Sequence, residues 1–394
     1  MNTRLTPALA TVAFSVVALL GACGTDTPVP TPTASTPRSS TPPENSPSST
    51  SSTPPESAET PDLSEVLGSP EVVARDLKAP WSIVFVGETL LMSERDTGRI
   101  LQLGVEGDFA SIATIKGVQH GGEGGLLGLA YHEGYGLYVY STTANGNRVE
   151  LYPLTQADGA ITLGSPSTIV ENLPFAGFHN GGRLAIGPDE HLYVSVGDAG
   201  NPEHAQDPAS LGGKILRFSL DGSIPAQGPA PDGNPLEGSP VWSRGHRNVQ
   251  GLAWAADGTM YASEFGQNTW DELNVIEPGK NYGWPVIEGI GGEEWYVDPI
   301  AQWGTDEASP SGIAVLDFAA GPVVAMANLR GQSLRLVDGG DPEAQTLAID
   351  DLGRIRDAVL APDGALWIIT NNTDGRGSPR SGDDKLLRIT VQGQ

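Results

Sequence analysis

The stretch Gly182-Arg183-Leu184-Ala185-Ile186, then Gly187-Pro188-Asp189-Glu190, then His191-Leu192-Tyr193-Val194-Ser195-Val196 decides the fold. An apolar run enters, a turn containing Pro and Asp reverses it, and a β-type run with an aromatic residue near its start leaves. Turn residues between two such runs mark an antiparallel hairpin. The layout returns twice. Gly251-Leu252-Ala253-Trp254 and Met260-Tyr261-Ala262-Ser263 flank Ala256-Asp257-Gly258, and Ala358-Val359-Leu360 and Leu366-Trp367-Ile368-Ile369-Thr370 flank Ala361-Pro362-Asp363-Gly364. Leu90 to Ser93 and Gly136 to Ser141 are further strand-like runs.

Degenerate hairpins spread over a whole chain predict a β-propeller, in which each small twisted sheet buries its faces only by stacking on its neighbours in a ring. Blade starts near Trp81, Gly125, Arg183, Gly251, Val323 and Asp357 give six blades. The predicted fold is therefore all-β, a six-bladed β-propeller of four-stranded antiparallel blades over residues 66–394. A β-sandwich or β-helix does not explain turn–strand repeats along the full length. The absence of βα alternation argues against a Rossmann fold or TIM barrel.

Composition agrees and narrows the function. The 394 residues carry a net charge of −26, 51 Gly and one Cys. A single Cys makes no internal disulfide and no thiolate-rich metal site. So acidic a chain repels phosphate backbones, which excludes nucleic acid as an expected partner.

The first 23 residues read as an export signal: Arg4 near the start, an apolar run from Leu9 to Leu20, then Leu20-Gly21-Ala22-Cys23. That ending resembles the bacterial lipobox, which implies cleavage before Cys23 and lipidation of it. An ordinary secretory peptide with an incidental Cys is the plainer alternative. The expected location is an exported lipoprotein, facing the cell surface or periplasm and held to the membrane by its lipid. Residues 24–65 are mostly Pro, Ser, Thr, Glu and Ala, too poor in apolar groups to offset chain entropy, and read as a disordered tether.

Three segments carry candidate chemistry. In Gly177-Phe178-His179-Asn180-Gly181-Gly182-Arg183, a His beside small residues precedes a strand, and Asp198 ends the next one. An imidazole oriented by a carboxylate suits proton transfer, although a lone His is more often structural. In Trp242-Ser243-Arg244-Gly245-His246-Arg247-Asn248-Val249-Gln250-Gly251, the guanidinium groups suit a carboxylate or a developing oxyanion, or simply pair with surface acids. The loop Glu264 to Asn274 and the block Asn281-Tyr282-Gly283-Trp284-Pro285 are rich in hard oxygen donors of the kind calcium takes, with a hydrogen-bonded structural loop as the equal alternative. Walker A, G-x-S-x-G and H-E-x-x-H motifs are absent, and Gly122 to Leu127 fails as a dinucleotide fingerprint.

Taken in order, these blocks resemble the soluble PQQ-dependent glucose/sorbosone dehydrogenase family over about Leu77 to Ile389. The resemblance rests on Ala79-Pro80-Trp81, Ser93-Glu94-Arg95, Gly122 to Ala130, His179 to Arg183, Val196-Gly197-Asp198, Gly213 to Arg217, Gly245 to Asn248, Asp271 to Asn274, Asn281 to Pro285, and Arg354 to Asp357. It implies a six-bladed propeller that oxidises the C1 hydroxyl of an aldose to the lactone with PQQ and Ca²⁺, passing electrons to an external quinone or cytochrome. By the same resemblance, His179 is the general base, Asp198 orients it, and Arg247 stabilises negative charge on the quinone oxygen. Asn248, Arg330, Arg354 and Arg356 contact PQQ. Glu123 contacts substrate where glucose-specific members have Gln. Main-chain oxygens of Gly266 and Gln267 (the family pattern has Pro at 267) bind the calcium that polarises PQQ, and Glu272 with the Tyr282 carbonyl belongs to a second calcium site. Arg330 stands where the family pattern has Lys. A non-catalytic surface propeller binding a glycan or protein, and a metal-dependent lactonase, are the competing expectations.

Overall fold

A computed structural model describes residues 61–393. The export signal, Cys23 and the tether up to residue 60 lie outside them. Six four-stranded antiparallel sheets form the blades of a propeller. Their innermost strands are Pro80–Val86, Leu126–His132, Leu184–Ile186, Val249–Trp254, Pro310–Phe318 and Ile355–Leu360. The sixth blade takes its outermost strand from the other end of the chain. Glu71–Ala74 pairs with Leu386–Ile389, which closes the ring without leaving that sheet edge bare. Ahead of it, Leu63 packs on the core, Val66 is buried, and Leu67 bridges Val391. The one helix among the described residues is a single 3₁₀ turn, Pro202–Ala205.

Blade order follows the sequence reading except at one start. Val323 lies in the second strand of the fifth blade, Gly321–Asn328; that blade opens at Pro310–Phe318. The turn between them is Ala319-Ala320, followed by Gly321-Pro322, rather than the Asp-containing turn of the other hairpins, so the layout that marks those blades is missing here.

Both faces of a blade are covered by its neighbours, so inner strands are apolar throughout rather than alternating. His191–Val196 is buried at five of its six positions. Trp81, Tyr138, Tyr140, Val194, Leu216 and Phe218 belong to one cluster that joins blades.

The innermost strands share a register the residue types only hint at. Ser82-Ile83-Val84, Gly128-Leu129-Ala130, Arg183-Leu184-Ala185, Gly251-Leu252-Ala253, Gly312-Ile313-Ala314 and Asp357-Ala358-Val359 occupy equivalent positions, with the middle residue facing Met92, Val139, Val194, Ala262, Met326 and Ile368. Just before the triplet, register shifts break the ladder in five of the six strands, the exception being Leu184–Ile186. Such bulges re-aim side chains. Here the residues they free include Trp81, Gln250 and Arg356, which all line one cavity.

Below that cavity the pore is closed by a polar plug. Arg183 Nη1 lies 2.9 Å from Asp357 Oδ1, and its Nε donates to the Gln250 carbonyl at 2.7 Å. Asp357 Oδ2 accepts the Ile83 N–H at 3.0 Å. The Trp81 ring has the Arg183 guanidinium 4.6 Å and the Arg356 guanidinium 5.8 Å from its centroid. Gly312 is required here, because a Cβ would run into Asp357 Oδ1. Gly312→Ala should therefore lower unfolding free energy by about 3 kcal/mol in urea titration, combining overpacking with loss of a buried ion pair. Gly177→Ala, whose added Cβ meets nothing within 4 Å, should stay within about 0.5 kcal/mol. Equal midpoints for the two would contradict this account of the plug.

Candidate active site

Two kinds of connection meet at one end of the ring. The links between blades carry Glu123, His179, Arg247, Asn248 and Arg354. The turns between second and third strands carry Arg95, Asp198, Phe265 and Arg376. A propeller gathers these because the N-terminal ends of all innermost strands converge on the pore mouth.

His179 sits at φ +56°, a left-handed conformation uncommon for a residue with a Cβ. Its backbone is pinned on both sides. Its N–H donates to Glu123 Oε2 at 2.8 Å, and its carbonyl accepts the Ala199 N–H at 3.1 Å. The imidazole Nδ1 lies 2.7 Å from Asp198 Oδ1, leaving Nε2 without a hydrogen-bonding partner among the described residues. Asp198 is buried and also accepts the Gly200 N–H at 2.8 Å and the Trp284 indole N–H at 2.9 Å. Burial opposes its charge, but the His179 hydrogen bond and charge, with the other two donors, hold its carboxyl below the usual range. An ionised carboxylate only accepts, so Nδ1 carries a proton, and in the neutral ring Nε2 is the nitrogen that can accept one.

Beside this pair, Arg247 is stacked over Trp284, its guanidinium carbon 5.5 Å from the ring centroid. Nη1 donates to the Phe265 carbonyl at 3.1 Å, while Nε is buried with no partner. Burial depresses the guanidinium against the pull of Asp198, Glu264 and other acids. The Arg247 backbone N–H is held by Glu264, whose other oxygen lies 2.9 Å from His246 Nδ1. His246 is fully buried and stacked on Tyr282, so it positions Arg247 rather than facing the mouth.

Across Phe265, Arg356 reaches Gln250 Oε1 at 2.7 Å, and Arg354 lies 3.0 Å from Asp374 Oδ2. Burial pushes Arg356 down to about 9, with Asp374 opposing. Arg95 donates to the Asp374 carbonyl at 3.2 Å. Glu123 Oε1 is 2.6 Å from Arg376 Nη1, so the expected substrate-contacting carboxylate is already paired. Burial opposes its ionisation, but Arg376 and the His179 N–H hold it below the usual range. Arg330 stands apart. It is exposed, with Nη1 on the Thr305 carbonyl at 3.3 Å, and its neighbour Leu329 lines the cavity instead.

The donor set tests which group fits this mouth. Arg247 Nε, Asn248 Nδ2 and Arg354 Nε are all buried donors without a partner; the last two fall on residues expected to contact the cofactor, and the first on the Arg expected to face its quinone oxygen. Unpaired buried donors are costly, so they fit a group rich in acceptor oxygens and negative charge. PQQ, with its carboxylates and quinone oxygens, is such a group. The calcium expectation fits differently at its two places. Neither the Gly266 nor the Gln267 carbonyl accepts a hydrogen bond among the described residues, which leaves both available to a hard cation. Around the second place, Glu264, Glu272, Glu288 and Tyr282 line one small cavity. Each carboxylate there is engaged by the protein. Glu272 takes Asn274 at 3.1 Å and the Gly289 N–H at 2.7 Å. Among the described residues no three His, Cys, Asp or Glu side chains converge to hold a metal ion.

A roomier cavity of about 500 Å³ opens at the other ends of these strands, where the turns between first and second strands lie. Tyr193, Trp242 and Trp254 line it, without an imidazole or a free cation beside them, so the reactive groups mark the mouth and not this hollow. Trp81, Gln250, Trp284, Asp374 and Arg376 belong to the site without having been singled out for it. Trp81, Gln250 and Trp284 stood in recognisable blocks. Arg376 lies in a Gly/Ser/Arg-rich turn with no local signal.

A family profile described as glucose/sorbosone dehydrogenase matches residues 77–388. The solved structure of the PQQ-bound aldose sugar dehydrogenase of Streptomyces coelicolor is 44% identical, covers 82% of this chain and 98% of its own, and superposes with a TM-score of 0.74. The quinoprotein glucose dehydrogenase B of Acinetobacter calcoaceticus is 32% identical over 57% of this chain and 54% of its own length. An aldose sugar dehydrogenase of Escherichia coli is 27% identical over 79% of this chain and 93% of its own.

The carboxylates behind the mouth set a pH dependence. Burial and the neighbouring Glu264 raise Glu272 well above the ordinary carboxylate range, and burial pushes Asp271 up to about 6. Each folded carboxyl then holds a proton that the unfolded chain releases near pH ~4. With chelator present, stability should fall as pH rises from about 5 toward 8. Glu272→Gln should flatten that slope when Tm is followed against pH, and an unchanged slope would show that Glu272 is not raised.

Proposed function

The chain belongs to the glucose/sorbosone dehydrogenase family, and from that premise we propose a PQQ- and calcium-dependent enzyme that oxidises the C1 hydroxyl of an aldose to the lactone. The electrons then pass to an external acceptor, a quinone or a cytochrome. The observation that carries this reading is the His179–Asp198 pair, 2.7 Å apart, facing a mouth whose unpartnered donors belong to Arg247, Asn248 and Arg354.

When bound, PQQ supplies a two-electron acceptor for the C1 hydrogen, and calcium supplies positive charge beside it. Arg354 and Arg356 would hold the cofactor carboxylates, with Asn248 Nδ2 as a further donor. The carbonyls of Gly266 and Gln267 would hold its calcium, and Glu272 with the Tyr282 carbonyl a second one. The remaining work belongs to the protein. His179 Nε2 takes the C1 hydroxyl proton, and Asp198 keeps the ring in the tautomer that can accept it. Arg247 is a fixed cation whose stacking on Trp284 limits its motion, so it needs no reorganisation as negative charge develops nearby. Ionised Glu123 accepts hydrogen bonds only and therefore reads a sugar hydroxyl as a donor. Arg376 holds it in place.

PQQ- and Ca²⁺-dependent reduction of an artificial dye by aldoses tests the proposal. His179→Ala should lower kcat by about 10²–10⁴-fold, and Arg247→Ala should lower kcat with little change in KM. Dye reduction that persists in His179→Ala, or a protein that takes up no PQQ, would overturn the assignment.

The export signal and lipobox-like Leu20 to Cys23 support a lipid-anchored protein outside the cytoplasm. Cys23→Ser should move the protein from the membrane pellet to the soluble fraction on cell fractionation. Retention in the pellet would argue against the anchor.

A further inference from the structure

Glu288 lies outside every motif that marks the site, yet one of its oxygens organises the loop beside Arg247. Glu288 Oε1 accepts four consecutive backbone N–H groups, from Gln267 at 2.6 Å, Asn268 at 3.1 Å, Thr269 at 3.1 Å and Trp270 at 3.2 Å. Successive N–H groups converging on one carboxylate oxygen form an anion-holding nest. The geometry has a consequence on the other side of each peptide plane. In a trans peptide the carbonyl of one residue points opposite to the N–H of the next. Fixing the Gln267 N–H toward Glu288 therefore turns the Gly266 carbonyl away from it, and fixing the Asn268 N–H turns away the Gln267 carbonyl. These are the two carbonyls that accept no hydrogen bond among the described residues. Gly266 itself leaves no latitude, since a Cβ there would collide with the Trp270 carbonyl, and its N–H is held by Asp271 Oδ1 at 2.8 Å.

Gln267 matters to this arrangement because it donates the shortest of the four bonds, which a proline at that position would not supply. Glu288 also shares its segment with Trp284, whose indole N–H holds Asp198. One excursion of the fourth blade thus braces the carboxylate behind the general base and the loop of free carbonyls.

We propose that Glu288 is a positioning residue for the cation held by the Gly266 and Gln267 carbonyls, fixing the direction of both oxygens by binding the N–H groups behind them. The inference rests on the calcium reading given under Proposed function. It extends that reading to a residue that need not touch the ion.

The test is calorimetric titration of the metal-stripped full chain with Ca²⁺, in a Glu272→Gln background so that the second site is not read. Glu288→Ala should weaken Ca²⁺ binding by about 10–100-fold. Glu288→Gln keeps an accepting oxygen without the charge and should fall between Glu288→Ala and the parent. Should Glu288→Ala fail to fold, the Glu288→Gln titration decides alone. Ca²⁺ affinity equal to the parent's, with only the unfolding midpoint lowered, would make Glu288 a plain structural contact and overturn the proposal. A parent protein that takes up no Ca²⁺, in this background or in the wild type, would instead remove the calcium reading itself.

Discussion

The ion pair of Arg183 with Asp357 joins the innermost strands of the third and sixth blades, which lie opposite one another in the ring, and the site depends on it. Removing both charges from water costs several kcal/mol per ion, which an isolated pair does not recover. Here the Gln250 carbonyl and the Ile83 N–H fill part of the remaining valences, while Arg183 Nη2 stays buried without a partner. The pair therefore specifies how far the blades close rather than adding stability of its own. Above the pair, Trp81 lies flanked by two guanidinium groups and lines the cavity of the mouth.

Charge at the mouth runs against the charge of the chain. A protein of net charge −26 concentrates Arg95, Arg247, Arg354, Arg356 and Arg376 around one opening. Most of these cations are matched locally. Arg354 has Asp374 and Arg376 has Glu123. What remains is not excess charge so much as excess donors. That distinction favours a ligand offering fixed acceptor oxygens over a diffuse attraction for any anion, and the acidic exterior discourages the latter.

The proposed general base, His179, is held in a conformation its own residue type does not favour. A positive φ at a non-glycine residue persists where the surroundings over-determine it. His179 is pinned through its N–H, its carbonyl and its ring, by Glu123, Ala199 and Asp198 respectively. Glu123 and His179 are therefore mechanically linked, since Glu123 touches both the His179 backbone and Arg376.

The sequence by itself determined the ring of blades, because degenerate hairpins repeated along the whole length each form a small sheet that buries its faces by stacking on its neighbours. It also supplied the chemistry-bearing types at 179, 198, 247, 354 and 356, each in a block ordered along the chain. The Ala319-Ala320 turn hid the fifth blade's start, because it lacks the Asp-containing turn that marks the other hairpins, and the Gly321-Pro322 beside it was the signal that could have shown it. Tertiary structure alone decided which of those groups meet. Arg376 reaches Glu123 across 253 positions of sequence. Trp284 reaches Asp198 across 86, and Glu288 turns a loop about 20 positions away. Such contacts follow from ring closure and from bulges at the pore, which are properties of the whole assembly and leave no periodic trace in any one strand.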